Sequence, residues 1–245
     1  MKSGTTIVTA FIPDVNQRND RDIHWYLERG KHLLNVPIPK VIFAPRHIID
    51  HLYLVNPGFN LFVAFEFADI YLSKYLVSLN NEVITDNPKK DTIEYFMIQC
   101  NKTEWVRKSI TLNPFKSNQF IWIDFGIYQF YEKAGSAELF NEEVMKMCSR
   151  NHNRIRIPSI WDINESKNIR DRKKILWFFA GSVFGGNSEC LNSFSNIMRL
   201  KCLKMIEEQK TLVWEVNIWV DVFLEIPEIF DSYPANHDQT MIRNY

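Results

Sequence analysis

Ile121-Trp122-Ile123-Asp124-Phe125-Gly126 is an apolar run that stops at one carboxylate and a glycine, and Trp177-Phe178-Phe179-Ala180-Gly181 repeats the pattern downstream. Runs of this kind, apolar on both faces, read as buried parallel strands. In open α/β sheets ligands bind in the crevice outside the carboxyl ends of such strands. A carboxylate placed there can hold a ribose hydroxyl or a metal-bound diphosphate. Ser182-Val183-Phe184-Gly185-Gly186 continues the second run, and glycines so placed let main chain approach a ligand closely. The two runs together suggest a sugar-nucleotide site.

Outward from this stretch, the rhythm is strand, helix, strand, helix. Thr5 to Phe11 is β-branched and apolar, and Pro13-Asp14 closes it. A helix is expected from about Asp20, with Asp20 or Asp22 at its N-terminus, ending near Asn35-Val36-Pro37. Lys40 to Ala44 is a second strand stopped by Pro45, His47 to Leu54 a short helix, and Leu61 to Phe67 a third strand after the Asn56-Pro57-Gly58 turn. This order predicts a mostly parallel sheet flanked by helices. From Asp69 to Asn118 the pattern is largely helical, broken at Asn80-Asn81 and Asp86-Asn87-Pro88, with a final helix from Ile93 to Leu112.

The polar stretch from Arg150 to Arg172, with a strand-like Ile155 to Ile160, is expected to be a mobile loop or the seam between donor and acceptor halves. Leu191, Phe194, Met198, Cys202 and Met205 then repeat at helical spacing, with Asn187 or Ser188 suited to capping that helix, and Val213 to Leu224 forms another helix before Pro227. No internal repeat interrupts the chain, so one domain is expected, with residues 1–125 as a nucleotide-binding half and 126–245 as a sugar and acceptor half.

Bulk properties permit a small-molecule site and exclude others. The 245 residues, 46% hydrophobic, can bury a sizeable core, while 29 basic and 29 acidic residues balance. No global field invites nucleic acid or an anionic membrane. Eighteen Phe, nine Tyr and seven Trp serve packing first and stacking on bases and sugars second. Cys100, Cys148, Cys190 and Cys202 form no Cys-x-x-Cys pair, which argues against a zinc ribbon or disulfide scaffold and for a reducing compartment. The N-terminus lacks a signal-like apolar region, and no apolar run is long enough to span a bilayer. A complete, soluble, cytoplasmic protein is expected.

Taken in order, Thr6-Ile7-Val8-Thr9-Ala10-Phe11, Asn113-Pro114-Phe115 leading into Trp122-Ile123-Asp124-Phe125-Gly126, and Ala180-Gly181 leading into Phe184-Gly185-Gly186 resemble the HtrL/YibB family, which belongs with the GT-A-type glycosyltransferases. The resemblance implies a GT-A-like, Rossmann-like α/β fold. It also implies transfer of a sugar from a nucleotide-sugar donor, a UDP-sugar, to a hydroxyl on a glycan or protein. By the same resemblance Thr9, Ala10 and Phe11 face the nucleotide base, and Arg18 and Lys108 supply cations to base or diphosphate. Asp124 stands for the first acid of the Asp-x-Asp motif, while Gly126 takes the place of the second. That second acid is the usual holder of a divalent ion, so Mn²⁺ or Mg²⁺ dependence is in question. Gly181, Gly185 and Gly186 correspond to the loop beneath sugar and acceptor.

Trp214-Glu215-Val216-Asn217-Ile218-Trp219 puts Glu215 where such enzymes carry a base or sugar anchor, in an aromatic setting suited to work on an acceptor hydroxyl. Trp214 and Asn217 are candidates for an acceptor platform. In Tyr233-Pro234-Ala235-Asn236-His237-Asp238, His237 is the second metal candidate, and Asp238 is a further ligand or donor-orienting acid.

Bland readings stand beside several of these: Arg18 and Lys108 as solvated cations, one glycine as a plain turn former, Asp238 as an Asx-type cap. His47 and His51, four apart, read as polar surface. Asp124-Phe125-Gly126 also spells the kinase metal-binding triplet, but no Gly-rich loop or His-Arg-Asp segment precedes it. The rival to an enzyme is a non-catalytic nucleotide- or glycan-binding module with a degenerate site.

Overall fold

The computed structural model describes residues 4–13, 21–133, 136–168 and 171–245. The helices and strands run in the order β1 (Thr5–Ala10), α1 (Ile23–Asn35), β2 (Lys40–Ala44), α2 (Arg46–Leu52), β3 (Asn60–Ala64), α3 (Ile93–Cys100), α4 (Lys102–Leu112), β4 (Gln119–Ile123), α5 (Ala137–Cys148), β5 (Ile155–Ser159), β6 (Val183–Asn187), α6 (Ser188–Gln209), α7 (Glu215–Glu225), β7 (Phe230–Pro234) and α8 (Thr240–Arg243). One seven-stranded sheet, β3-β2-β1-β4-β6-β5-β7, runs through both expected halves. The pairs β1–β2, β2–β3, β1–β4 and β5–β7 are parallel, and β6 alone runs against its neighbours.

Alternation along the strands builds three layers, because successive side chains point to opposite faces. Phe120 and Trp122 of β4 join the cluster formed with Phe96 of α3, Trp105 of α4, Phe194 of α6 and Trp219 of α7. Ile121 and Ile123 face the other way, toward Leu33 of α1, Val144 of α5 and Met241 of α8. On that same side α2 packs Ile48 and Leu52 beside Ile42 of β2. Helices therefore cover both faces, as a mostly parallel sheet requires. Two caps match the sequence reading. Asp22 accepts from the Trp25 amide at 2.7 Å, and Asn187 from the Cys190 amide at 2.9 Å.

Four expectations are corrected. The apolar run Trp177–Gly181 is no parallel strand; it makes only an isolated antiparallel bridge, Phe179 to Ser159. The glycine stretch after it is β6, pairing antiparallel with β4. The single helix from Ile93 to Leu112 is two, α3 and α4, parted at Asn101. The stretch from Arg150 to Arg172 is no loop throughout: its strand-like Ile155 to Ile160 is β5, an interior strand between β6 and β7, whereas β7 itself had no counterpart in the reading of the sequence.

Candidate functional site

The sheet order places β1 beside β4, with β2 and β3 continuing outward on β1's other side, so the chain reverses its direction of winding between β1 and β4. Such a switch point opens a crevice at the carboxyl ends of the strands. A cleft of about 800 Å³ lies there. Ala10 and Phe11 reach it from the end of β1, Asp124 and Gly126 from the end of β4, Gly181 from the segment before β6, Trp214 and Glu215 from the start of α7, and His237 from the turn before α8.

At its floor one ammonium gathers two carboxylates. Lys102, the first residue of α4, donates to Glu215 Oε1 at 2.9 Å and to the Gly181 carbonyl at 3.0 Å, and its Nζ lies 3.1 Å from Asp124 Oδ1. The Lys102 and Glu215 side chains are 4% and 6% exposed and Asp124 35%, so of the three Asp124 is the most open. Three acceptors meet the three N–H donors of an ammonium. Burial pulls the lysine toward losing its proton, but Asp124 and Glu215 outweigh that and hold its pKa above the usual value. A lysine at a helix N-terminus opposes the helix dipole, and these carboxylates offset it. Trp122 lies two residues before Asp124 on the strand, hence on the same face, and its indole N–H donates to Asp124 Oδ1 at 2.8 Å.

Gly181 is where the backbone has to pass closely. A Cβ there would lie 2.1 Å from Glu215 Oε1 and 3.3 Å from Lys102 Nζ. Gly185 and Gly186 serve the sheet, not the cleft. A Cβ on Gly185 would meet the Phe120 carbonyl at 2.7 Å, and one on Gly186 the Arg154 carbonyl at 2.8 Å.

The aromatic rim has two parts. Phe11 lies 5.2 Å from Tyr26 and 5.0 Å from Phe125 between ring centroids. Across the cleft His237 packs against Trp177 at 4.4 Å and Phe130 at 5.7 Å. Partial desolvation pulls the His237 pKa below the usual value, with Asp124 pulling the other way. Trp214 is fixed by an indole N–H bond to Asp91 Oδ1 at 3.2 Å.

The remaining sequence candidates lie elsewhere. Thr9 is fully buried in β1 beneath the cleft. Lys108 lies over the Phe65 ring at 4.6 Å, outside the cleft wall. Asn217 is buried and ties down the segment before Trp177, accepting from the Leu176 amide at 2.8 Å and donating to the Lys174 carbonyl at 2.8 Å. Asp238 accepts from the Thr240 amide at 2.8 Å, as a turn-forming cap does. Arg18 lies outside the described residues.

A divalent ion does not fit the donors present. Asp124 Oδ1 and Glu215 Oε1 already face an ammonium, Gly126 supplies no ligand, and no group of three or more His, Cys, Asp or Glu among the described residues could hold a metal. Hard cations want about six oxygen ligands.

The model of a family described as "Bacterial protein of unknown function (HtrL_YibB)" matches residues 68–231, two thirds of the chain. The protein belongs to the HtrL/YibB family. No curated protein matches the sequence. The apo crystal structure of mouse xyloside xylosyltransferase 1 is similar, with a TM-score of 0.46 and 9% identity over 93% of this chain and 84% of that one. So is 4-diphosphocytidyl-2C-methyl-D-erythritol synthase from Anaerococcus prevotii, with a TM-score of 0.45 and 10% identity over 98% and 90%.

The family match covers α3, α4, β4, β6 and α7, and thus Lys102, Asp124, Gly181 and Glu215 together. Of these four the sequence pointed to three. Lys102 was missed because Cys100-Asn101-Lys102 carries no proline or glycine to mark a new helix start there. Tyr95 of α3 was missed too; it lines the same cleft, and its hydroxyl pKa is raised by burial and then by Glu215 and Asp124.

Proposed function

We propose that this HtrL/YibB protein transfers a sugar from a nucleotide-sugar donor, a UDP-sugar, to a hydroxyl on a glycan or protein. The observation that carries the proposal is the convergence of Asp124, at the end of β4, and Glu215, at the start of α7, in a cleft at the switch point of the sheet. The base stacks at the Phe11 and Tyr26 rim. Asp124 accepts from a ribose or sugar hydroxyl through Oδ2, on which no hydrogen bond falls among the described residues. Trp177 and His237 form a wall against which sugar faces pack, while Trp214, 2% exposed, backs the cleft from the core. Glu215 works on the acceptor hydroxyl or the transferred sugar while Lys102 holds its Oε1, and positioning supplies most of the rate. No described helix is long and apolar enough to cross a membrane, and the four cysteines form no disulfide. The proposal places the protein in the cytoplasm.

One observation favours the rival, binding without transfer: the carboxylate that would act as base is already paired with a buried ammonium. Incubation with a panel of nucleotide sugars distinguishes the two. Slow release of the nucleoside diphosphate, abolished in Glu215→Gln while affinity for UDP is retained, supports transfer. Thermal stabilisation by UDP with no turnover supports the module. No response to any nucleotide sinks both.

A further inference from the structure

Two acids, one ammonium and one glycine meet at a point where a divalent ion was expected. We propose that Lys102 is the built-in cation of this cleft, holding Asp124 and Glu215 together and making the site independent of metal. Lys102 is a positioning residue here, since it acts through the two carboxylates.

Three features carry the inference. A single nitrogen lies 2.9 Å from Glu215 Oε1, 3.1 Å from Asp124 Oδ1 and 3.0 Å from the Gly181 carbonyl, so all its donors are satisfied and nothing draws it outward. The segment at Gly181 is shaped around that nitrogen, because any side chain there would strike Glu215. A metal entering between the same oxygens would meet a positive charge at contact distance, and expelling the lysine would strand a buried cation. The cation assignment stands on these contacts alone. Its consequence, that a nucleotide sugar is bound without Mn²⁺ or Mg²⁺, rests on the function proposed above.

The test uses Mn²⁺ alone as probe, on the wild-type chain and on Lys102→Ala and Lys102→Gln. The wild type is expected to show no binding to the acids up to about 1 mM and no rise in thermal midpoint. Both variants, left with two facing carboxylates, are expected to bind Mn²⁺ at least about tenfold more tightly than the wild type and to gain thermal midpoint with it. A variant that folds poorly should recover its circular dichroism on adding Mn²⁺, since the metal restores the missing charge. Wild-type binding that vanishes in Asp124→Asn would overturn the proposal. So would failure of both variants to respond to the metal. A separate arm measures UDP binding with and without chelator. Binding lost in chelator also overturns the proposal, whereas no UDP binding under any condition, with the Mn²⁺ results as expected, strikes only the nucleotide-sugar reading.

Discussion

Lys40 and Lys102 are both buried, at 0% and 3% exposure, yet their surroundings drive them in opposite directions. Lys40, at the start of β2, donates to the carbonyls of Val36 at 2.5 Å and Ile38 at 2.7 Å. Burial pushes its pKa down to about 7, with the Cys148 thiol a lesser opposing influence. Lys102 faces two carboxylates and stays charged. Lys40 fastens the turn between α1 and β2, which its aliphatic stem and two hydrogen bonds can do in either protonation state. Lys102 gathers acids from two distant segments, which only a cation can do. The counter-ions, not the burial, separate a lysine that closes a turn from one that organises a site.

The largest expected effect comes from breaking the second arrangement. Lys102→Met leaves two carboxylates facing each other, one of them buried, and should cost about 3–5 kcal/mol in urea unfolding at pH 8. Adding Asp124→Asn should recover part of that, because the repulsion is then removed. If Lys102→Met proves no more harmful than Lys40→Met, the ammonium is not holding the acids.

Gly181→Ala probes the same contact from the backbone side. The added carbon would lie 2.1 Å from Glu215 Oε1, so the carboxylate must move off its lysine. A loss of about 1–3 kcal/mol is expected, with a fall in any UDP affinity. Gly126→Ala is the milder control, since its Cβ would meet the Tyr26 ring at 3.1 Å and Trp25 at 3.6 Å, with no charged group among its contacts.

Lys40 sharpens the contrast through pH. Its folded pKa of about 7 lies below the usual 10.5, so across that interval the unfolded chain binds a proton that the folded chain does not. Stability contributed by this group is therefore present at high pH and lost as pH falls toward 7, with a slope of up to about 1.4 kcal/mol per pH unit. Cys148, raised to about 12 by burial with Lys40 lowering it, works the other way above its usual 9.0. The measurement accordingly belongs between about pH 7 and 8.5. Lys40→Met should flatten the rise there, and an unchanged slope would remove Lys40 as its source.

The same physical distinction decides how much was legible. In β1, β2 and β4 both faces are buried, so each is an apolar run with a proline or glycine after it, and the parallel half of the sheet could be read directly. The other half could not. In β6, two of five residues are glycines because neighbouring backbone leaves no room for Cβ, and this reads as a loop. Trp177 to Ala180 looks like a strand because its aromatics pack, Phe178 and Phe179 in the core and Trp177 on His237, although its backbone pairs only briefly, with Pro158, Ile160 and Trp161 around the Phe179–Ser159 bridge. Within the site, Asp124 and Glu215 stood out as acids in apolar runs. The cation that joins them comes from a third segment, and no linear pattern encodes that meeting.

Lys108 supplies the smallest effect and the cleanest control on the lysine comparison. It sits six residues after Lys102 on α4, and the resemblance to the family assigned it to the diphosphate. Its ammonium instead lies 4.6 Å over the Phe65 ring, away from the cleft. A partly exposed cation on an aromatic face contributes about 0.5–1 kcal/mol. Lys108→Ala should therefore cost no more than that in urea unfolding and leave UDP affinity, chelator sensitivity and Mn²⁺ response as in the wild type. A large fall in UDP affinity with little change in stability would mean that the donor extends past Phe65, and that Lys102 is not the cation nearest the ligand's charge.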